Sequence, residues 1–364
     1  MSQVNKRTLS DLHKMVPGSI TDDGADIAVR YSTTIPPLDV ILTGEVGKGF
    51  PSGRVIELYG EESVGKTTLC ATLIAAIQRD YHGAAILWDT EATMTSDRVR
   101  YMGINSDDLI YGSSHFCEDV MQEMVEVTRK IESGAANPFG IMVWDTVAGT
   151  EAKMEHGKKV GESGTFSPHA RILSEGFRKL CKPLARTKFA AIFCNQLKTG
   201  GIGQMYARER EKEATLGGKA MRFHAHLRIK MTMKRKYITK IDNKVTYVGD
   251  EIHVTKIKDK EGGSGVAGTD CILVIKKSGD GAGKFSNALS CLKTLQHWGL
   301  FKKDSITVDG KKYTDSSFEK KYEEDQAFQD LIHKKLTIMR RLKLRLSEKQ
   351  VAPEQPQVLP EEDD

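Results

Sequence analysis

One nine-residue stretch has the residue types and the spacing of a phosphate-binding loop. It fits the pattern G-x-x-x-x-G-K-[ST] and reads Gly60-Glu61-Glu62-Ser63-Val64-Gly65-Lys66-Thr67-Thr68. Glycines in such a loop let backbone N–H groups close around phosphate oxygens, and the helix that follows presents its positive end to them. Here Lys66 would reach the β- and γ-phosphates, and the Thr67 hydroxyl would be a ligand for Mg²⁺. The stretch therefore predicts a nucleoside triphosphate site with Mg²⁺.

Further polar side chains follow apolar runs elsewhere in the chain. Asp145 ends the run 141–145, and an acid at such a position in a P-loop protein holds Mg²⁺. Asp89 and Glu91 are two residues apart, so a strand continuing through Glu91 would point both carboxylates to one face. We interpret Glu91 as the base that deprotonates the attacking water and Asp89 as structural support, the alternative being that one of them caps a turn. Gln196 ends the run 189–196, where an amide could sense the γ-phosphate.

Strands and helices alternate around these residues. Apolar runs long enough for buried strands lie at 55–59, 84–89, 141–145 and 189–196, with helical patterns at 66–80, 118–132 and 168–187 between them. This order is typical of an α/β fold with a mostly parallel twisted sheet covered by helices. After residue 215 the runs alternate between apolar and polar residues, which predicts strands with one wetter face, some of them antiparallel.

Changes of composition predict four parts. We expect an N-terminal arm at 1–34, a nucleotide-binding core at 35–278, a small α+β C-terminal domain at 284–346 and a disordered acidic tail at 347–364. The arm is too short to fold alone, so it packs either on its own core or on a neighbouring subunit. A hairpin turning at Asp309-Gly310 is predicted within the C-terminal domain.

Composition restricts the class of protein. The 54 Lys and Arg exceed the 49 Asp and Glu by only five, too few to argue for nucleic acid on charge alone. The six cysteines stand singly, without C-x-x-C spacing, as expected for core residues in a reducing compartment. We find neither a signal peptide nor an apolar run that could span a bilayer, so we expect a soluble cytoplasmic protein without a membrane partner.

Over residues 33–280 the chain resembles the RecA family of DNA strand-exchange proteins. The shared motifs, in family order, are Gly49–Arg54, Gly60–Thr68, Asp89-Thr90-Glu91, Trp144-Asp145-Thr146, Asn195-Gln196 and Gly217–Phe223. The region of Ile35-Pro36 also looks like the recombinase of T-even phages, which is consistent with a phage-encoded relative.

The resemblance implies a RecA-like P-loop ATPase core and a helical filament on single-stranded DNA, with ATP and Mg²⁺ bound between adjacent subunits. Glu91 matches the family's catalytic glutamate and Gln196 its γ-phosphate sensor. Lys258 and Lys260 match a lysine pair that reaches into the neighbour's ATP site, and Phe223 matches a residue of subunit communication. Double-stranded DNA, single-strand-binding proteins and loader proteins are the implied partners.

Two DNA-facing loops are expected at about 154–166 and 197–216. From composition alone, the second of these could equally be a solvated loop. The residues that we assign to DNA, most of them in or beside these loops, are Lys158, Lys159, Arg171, Tyr206, Arg208, Gly217 and Gly218.

The chain departs from the family pattern in the nucleotide site. Glu61 stands where the phosphate loop usually has proline. Thr95 and Arg98 replace the acid and the aromatic expected around the adenine, so we assign base stacking to Arg98.

Two other functions are compatible with a P-loop. A ring-forming motor of the replicative-helicase type would use an arginine finger rather than Lys258 and Lys260. A signalling ATPase would bind protein partners and hydrolyse ATP at a rate that DNA does not change.

Overall fold

The computed structural model of the 364-residue chain describes residues 26–134, 138–156, 168–198, 214–241, 244–261, 270–302 and 305–351. Its strands are β1 Arg30–Tyr31, β2 Phe50–Pro51, β3 Val55–Gly60, β4 Ala84–Asp89, β5 Leu109–Tyr111, β6 Gly140–Asp145, β7 Phe189–Lys198, β8 Ala214–Thr215, β9 Leu227–Ile241, β10 Lys244–Asp259, β11 Asp270–Lys276, β12 Ile306–Val308 and β13 Lys311–Tyr313. Its helices are α1 Pro36–Thr43, α2 Lys66–Tyr81, α3 Ser96–Met102, α4 Cys117–Ser133, α5 Pro168–Ala185, α6 Gly218–His224, α7 Asn287–His297, α8 Asp315–Glu324 and α9 Gln326–Val351.

The main sheet has the order β11-β10-β9-β3-β7-β6-β4-β5, and β8 pairs with the end of β7. From β9 to β5 neighbouring strands run parallel, whereas β9, β10 and β11 are antiparallel to one another. The predicted fold class is confirmed, including the change to antiparallel pairing in the later strands.

The parallel strands are buried on both faces because helices cover both. In β6, Ile141 and Val143 join the hydrophobic cluster under α2, whereas Met142 and Trp144 join the cluster under α4 and α5. The side chains of a strand alternate between faces, so an uninterrupted apolar run supplies both clusters at once.

The register of the sheet brings the predicted site residues to one edge. Gly60 of β3 pairs with Gln196 of β7, and Asp89 of β4 pairs with Asp145 of β6. Carboxyl ends of parallel strands form the ligand-binding edge in sheets of this kind.

The described end of the predicted arm packs on its own core. Tyr31 of β1 is fully buried and makes an edge contact with the ring of Tyr81 at a centroid distance of 4.9 Å. The remainder of the arm, up to residue 25, lies outside the described residues.

The elements after residue 284 share a core with the sheet. Leu289 and Leu292 of α7 lie in the cluster that contains Leu273 of β11. The predicted hairpin is present, and Asp309 and Gly310 both have the positive φ that a tight two-residue turn requires. The domain boundaries at 278 and 284 stay predictions.

Helix α9 extends to Val351, so the segment 347–351 is helical where the sequence predicts a disordered tail. No glycine or proline interrupts the helical pattern before Pro353, which accounts for the difference. Within the described part of the chain, none of the helices has the length and apolarity needed to cross a bilayer.

Candidate nucleotide site

Close packing and backbone geometry require both glycines of the phosphate loop. Gly65 has φ 88° where α2 begins, and a Cβ there would lie 2.3 Å from Ile275 Cδ1. A Cβ on Gly60 would lie 1.9 Å from the carbonyl oxygen of Met231 on the neighbouring strand β9. Gly60 therefore supports the loop through packing, and Gly65 starts the helix.

Lys66 is buried at the first position of α2. Its Nζ donates to the carbonyl oxygens of Gly60 at 3.2 Å and Glu61 at 2.5 Å. Burial lowers the pKa of Lys66, while the nearby Cys194, Asp145 and Glu91 act in the opposite direction. The ammonium group is thus held inside the loop by neutral acceptors, and phosphate oxygens would be stronger ones.

Asp145 presents a buried carboxylate at the end of β6. It is 2% exposed, and neither of its oxygens has a hydrogen-bond partner of ordinary geometry. Burial raises the pKa of Asp145, and the nearby Thr67 hydroxyl and Cys194 thiol only partly oppose that rise. Because an unpaired buried carboxylate is costly, the pair of Thr67 and Asp145 fits a divalent cation with oxygen ligands.

Glu91 reaches the site from a turn, because β4 ends at Asp89, as the apolar run 84–89 predicts, and does not continue through Glu91. The strand ends at Asp89, whose Oδ2 accepts a 2.7 Å hydrogen bond from Met94 N. The Thr90 hydroxyl accepts a hydrogen bond from Thr146 N at 3.0 Å. This bond links the turn after β4 to the residue that follows β6. Glu91 is exposed, and its Oε1 accepts from the Thr146 hydroxyl at 3.1 Å. Asp89 thus has the supporting position that the sequence predicts.

These elements surround a cleft of about 690 Å³. The predicted site residues that line it are Glu62, Ser63, Gly65, Lys66, Thr67, Thr68, Glu91, Arg98, Asp145 and Gln196. Lining residues that the sequence reasoning missed are Tyr101, Met102, Thr146, Ile275, Lys277, Ala282 and Gly283.

Tyr101 supplies an aromatic ring to the lining of the cleft. It is 47% exposed, and its hydroxyl donates to the carbonyl oxygen of Ala282 at 2.7 Å. Lys284 Nζ lies 4.3 Å from the ring centroid. Arg98 instead donates to the Thr68 hydroxyl at 3.3 Å, which ties its guanidinium to α2. Tyr101 is one helical turn after Arg98, a spacing in the sequence that could have revealed it.

Comparison with known proteins identifies the family. The model of the RecA N-terminal domain matches residues 9–265, which is more than half of the 364 residues. The chain belongs to the RecA family.

The curated relatives of this chain include three bacterial RecA proteins. "Protein RecA" of Lactococcus lactis subsp. cremoris strain MG1363 is 30% identical over 250 residues, covering 64% of this chain and 62% of the relative. The Leptospira biflexa protein is 31% identical over 245 residues (67% and 59%), and the Gloeobacter violaceus protein is 31% identical over 268 residues (70% and 68%). The chain thus spans about six tenths of the length of the first two.

Lys258 and Lys260 do not line the cleft of their own chain. Lys258 Nζ donates to the carbonyl oxygens of Arg222 at 2.6 Å and Phe223 at 3.0 Å, and Lys260 Nζ donates to that of His224 at 3.4 Å. Burial, together with repulsion from Lys260 and Arg228, lowers the pKa of Lys258 to about 8. Both cations therefore cap the C-terminal end of α6, a favourable position for positive charge.

Three of the seven residues that the sequence assigns to DNA binding lie within the described part of the chain. Arg171 is exposed on α5. Gly217 and Gly218 begin α6 with φ 84° and 53°, and a Cβ on Gly217 would lie 2.4 Å from Leu173 Cδ1 of α5. Lys158, Lys159, Tyr206 and Arg208 lie outside the described residues.

A buried polar network runs beside Gln196 through the sheet of the RecA core. Asn195 Nδ2 donates to Glu57 Oε1 at 3.2 Å and to the carbonyl oxygen of Leu216 at 2.8 Å. Glu57 also pairs with Arg228 of β9. The strand that carries Gln196 is therefore hydrogen-bonded to the chain just before α6.

Proposed function

We propose that this chain is an ATP-dependent DNA recombinase. In this proposal it polymerises on single-stranded DNA, binds ATP between adjacent subunits, and promotes homologous pairing and strand exchange. Membership of the RecA family supports it. The observation that carries it is that Lys258 and Lys260 lie at the end of α6, outside their own cleft, where a neighbouring subunit could use them.

Different residues of the chain would bind the phosphates, the Mg²⁺ ion and the base of the nucleotide. The loop from Gly60 to Thr68 would surround the phosphates, with Lys66 donating to them, and Thr67 and Asp145 would hold Mg²⁺. Mg²⁺ would neutralise charge on the phosphate oxygens. The Tyr101 ring, which also lines the cleft, could stack on the base, which reassigns the role that the sequence gives to Arg98.

Hydrolysis would depend on Glu91. Its carboxylate borders the cleft, and the bond from the Thr146 hydroxyl to Oε1 orients it while Oε2 has no described partner. Oε2 could therefore accept the proton of a water that attacks the γ-phosphate. Lys258 and Lys260 of a neighbouring subunit would add positive charge as negative charge develops in the transition state.

DNA would bind next to the elements that meet at α6. Arg171 and the backbone at Gly217-Gly218 belong to this region, and Lys158, Lys159, Tyr206 and Arg208 are proposed DNA contacts from the sequence alone. In the proposal Gln196 senses the γ-phosphate, and the bond from Asn195 to Leu216 supports a path from the cleft to this region.

The experiment that tests the proposal is ATP hydrolysis with and without single-stranded DNA, on one sample also examined by negative-stain electron microscopy. We expect stimulation by DNA together with helical filaments. Stimulation with closed rings would support the helicase-type motor instead. A hydrolysis rate unchanged by DNA would support the signalling ATPase.

A further inference from the structure

Two histidines and one aspartate meet beside the last turn of α7. His253 Nε2 and His297 Nε2 lie 2.6 and 2.7 Å from the same oxygen, Oδ2 of Asp270. The imidazole rings are nearly perpendicular, with centroids 5.5 Å apart. One ligand atom from each residue lies within 4.8 Å of the other two, and no other such group of three is found in the described ranges.

Each member of the cluster comes from a different element. His253 is on β10, Asp270 begins β11, and His297 ends α7. The register of β10 with β11 pairs Thr255 with Asp270, which places His253 two residues along the same face. The three side chains are therefore brought together by tertiary structure and not by a local sequence motif.

Hydrogen bonds hold α7 firmly over β11. The Thr294 hydroxyl donates to the carbonyl oxygen of Ile272 and accepts from Ile272 N, both at 3.0 Å. Trp298 Nε1 donates to the carbonyl oxygen of Asp270 at 2.8 Å. The backbone on both sides of the cluster is thus fixed before any ion binds, which reduces the cost of ordering its ligands.

The cluster is partly shielded from water and is anionic at its centre. The side chains of His253, Asp270 and His297 are 35%, 19% and 26% exposed. Burial favours the neutral carboxyl, but hydrogen bonds from both histidines outweigh it and hold the pKa of Asp270 well below its usual range. The charge of Asp270 also acts on Lys234 of β9, where it opposes the lowering of the Lys234 pKa by burial.

We propose that His253, Asp270 and His297 form a binding site for a divalent transition-metal ion of the zinc class. Two imidazole nitrogens and one carboxylate oxygen are the donors that Zn²⁺ prefers, with water completing a tetrahedral set. The bound ion would take the lone pairs of both Nε2 atoms, so each neutral ring would carry its hydrogen on Nδ1. With tetrahedral bonds of about 2.1 Å to Zn²⁺ the ligand atoms would lie about 3.4 Å apart, so the two N···O distances would each have to lengthen by about 0.7 Å.

Such an ion would act as a clip between the sheet and the first helix after it. It would join β10, β11 and the C-terminal end of α7 through three bonds. Because the ion would bind the folded chain and not the unfolded one, it would stabilise this junction. The site lies outside the nucleotide cleft, so its occupancy is separable from ATP binding.

The test uses full-length protein without an affinity tag, stripped of metal by a chelator and free of nucleotide. Co²⁺ replaces Zn²⁺ as the probe, because tetrahedral Co²⁺ has strong visible absorption bands. We expect one equivalent of Co²⁺ to give these bands and Zn²⁺ to abolish them by displacement. The melting temperature should rise with free Zn²⁺.

Matched variants test whether the bound Co²⁺ is held by these three residues. His253→Ala and His297→Ala should each lose the bands and the thermal shift, whereas His115→Ala, at an exposed histidine before α4, should keep both. Asp270→Asn, which preserves shape, covers the case in which a histidine variant does not fold. The proposal is overturned if the wild-type protein gives no bands, or if the His253→Ala and His297→Ala proteins, folded by circular dichroism, bind Co²⁺ as the wild type does.

Discussion

Asp145 and Glu91 are both carboxylates of the cleft, but their surroundings differ. Asp145 is buried without a partner, whereas Glu91 is exposed and accepts one hydrogen bond from Thr146. A buried anion is suited to holding a cation, and an exposed one is suited to exchanging protons with water. The difference in burial therefore suits Asp145 to cation binding and Glu91 to proton transfer, although both side chains are carboxylates.

At the scale of the single residue, Glu91→Gln should stop hydrolysis and spare binding. The amide cannot accept a proton from water, so we expect the rate to fall by about 10²- to 10⁴-fold. Phosphate release measures the loss, and titration with a fluorescent nucleotide measures retained affinity. Glu45→Gln, on an exposed loop, is the control. Normal turnover in the Glu91→Gln protein would remove this residue as the base.

The pH dependence of hydrolysis should report Lys258. Since the pKa of Lys258 is lowered to about 8, the group loses its positive charge as pH rises through that region. Phosphate nearby would favour the charged form and move the loss to higher pH. We therefore expect DNA-stimulated hydrolysis to fall on the alkaline side of pH 8, and Lys258→Arg to retain its rate there. Equal alkaline profiles for the two proteins would contradict the role.

At the scale of the element, α3 should position the base through Tyr101. Stacking on an aromatic ring contributes about 0.5–1.5 kcal/mol, so Tyr101→Ala should raise KM for ATP by about two- to tenfold. The kcat should change little, because the contact is the same in ground and transition states. Tyr101→Trp should restore KM. If Arg98→Ala weakens binding and Tyr101→Ala does not, the original assignment to Arg98 stands.

Helix α6 presents an exposed aromatic, and Phe223→Ala should weaken self-association. Phe223 is 72% exposed, with its ring near His224 and Lys260 of its own chain. Burying such a ring against a neighbour stabilises by about 1.5–3 kcal/mol, so its loss should weaken assembly by about tenfold or more. Sedimentation would show this with nucleotide affinity unchanged. Leu342→Ala on α9 is the control, with 46% exposure.

The sequence predicts an element well when local pattern and burial agree. The bounds of β4 match the apolar run 84–89, and α2 begins at the lysine of the P-loop motif. Local pattern fails where distant residues decide. The local pattern does not show that Glu91 accepts from the hydroxyl of the distant Thr146, or that the Tyr101 hydroxyl donates to the carbonyl oxygen of Ala282. The cluster at Asp270 joins three elements and leaves no pattern in the sequence.

At the scale of the whole molecule, mixing two inactive variants should restore hydrolysis. Lys66→Ala protein retains Lys258 and Lys260, and the double variant Lys258→Ala, Lys260→Ala retains its own cleft. If a neighbour completes each site, a mixed assembly contains some complete interfaces. We expect DNA-stimulated phosphate release from the mixture and none from either protein alone. A protein with all three substitutions, mixed in place of one of the two variants, is the control. An inactive mixture of the two variants would mean that the lysines act in the nucleotide site of their own chain.

The bond from Asn195 to Leu216 has a thermodynamic consequence. Gln196 borders the cleft, and its neighbour in the chain is tied to the segment that leads into α6. If this connection lets bound DNA raise the affinity of the chain for ATP by some factor, thermodynamic linkage requires that bound ATP raise the affinity for DNA by the same factor. Asn195→Ala would then reduce both enhancements equally while leaving each ligand's affinity in the absence of the other nearly intact.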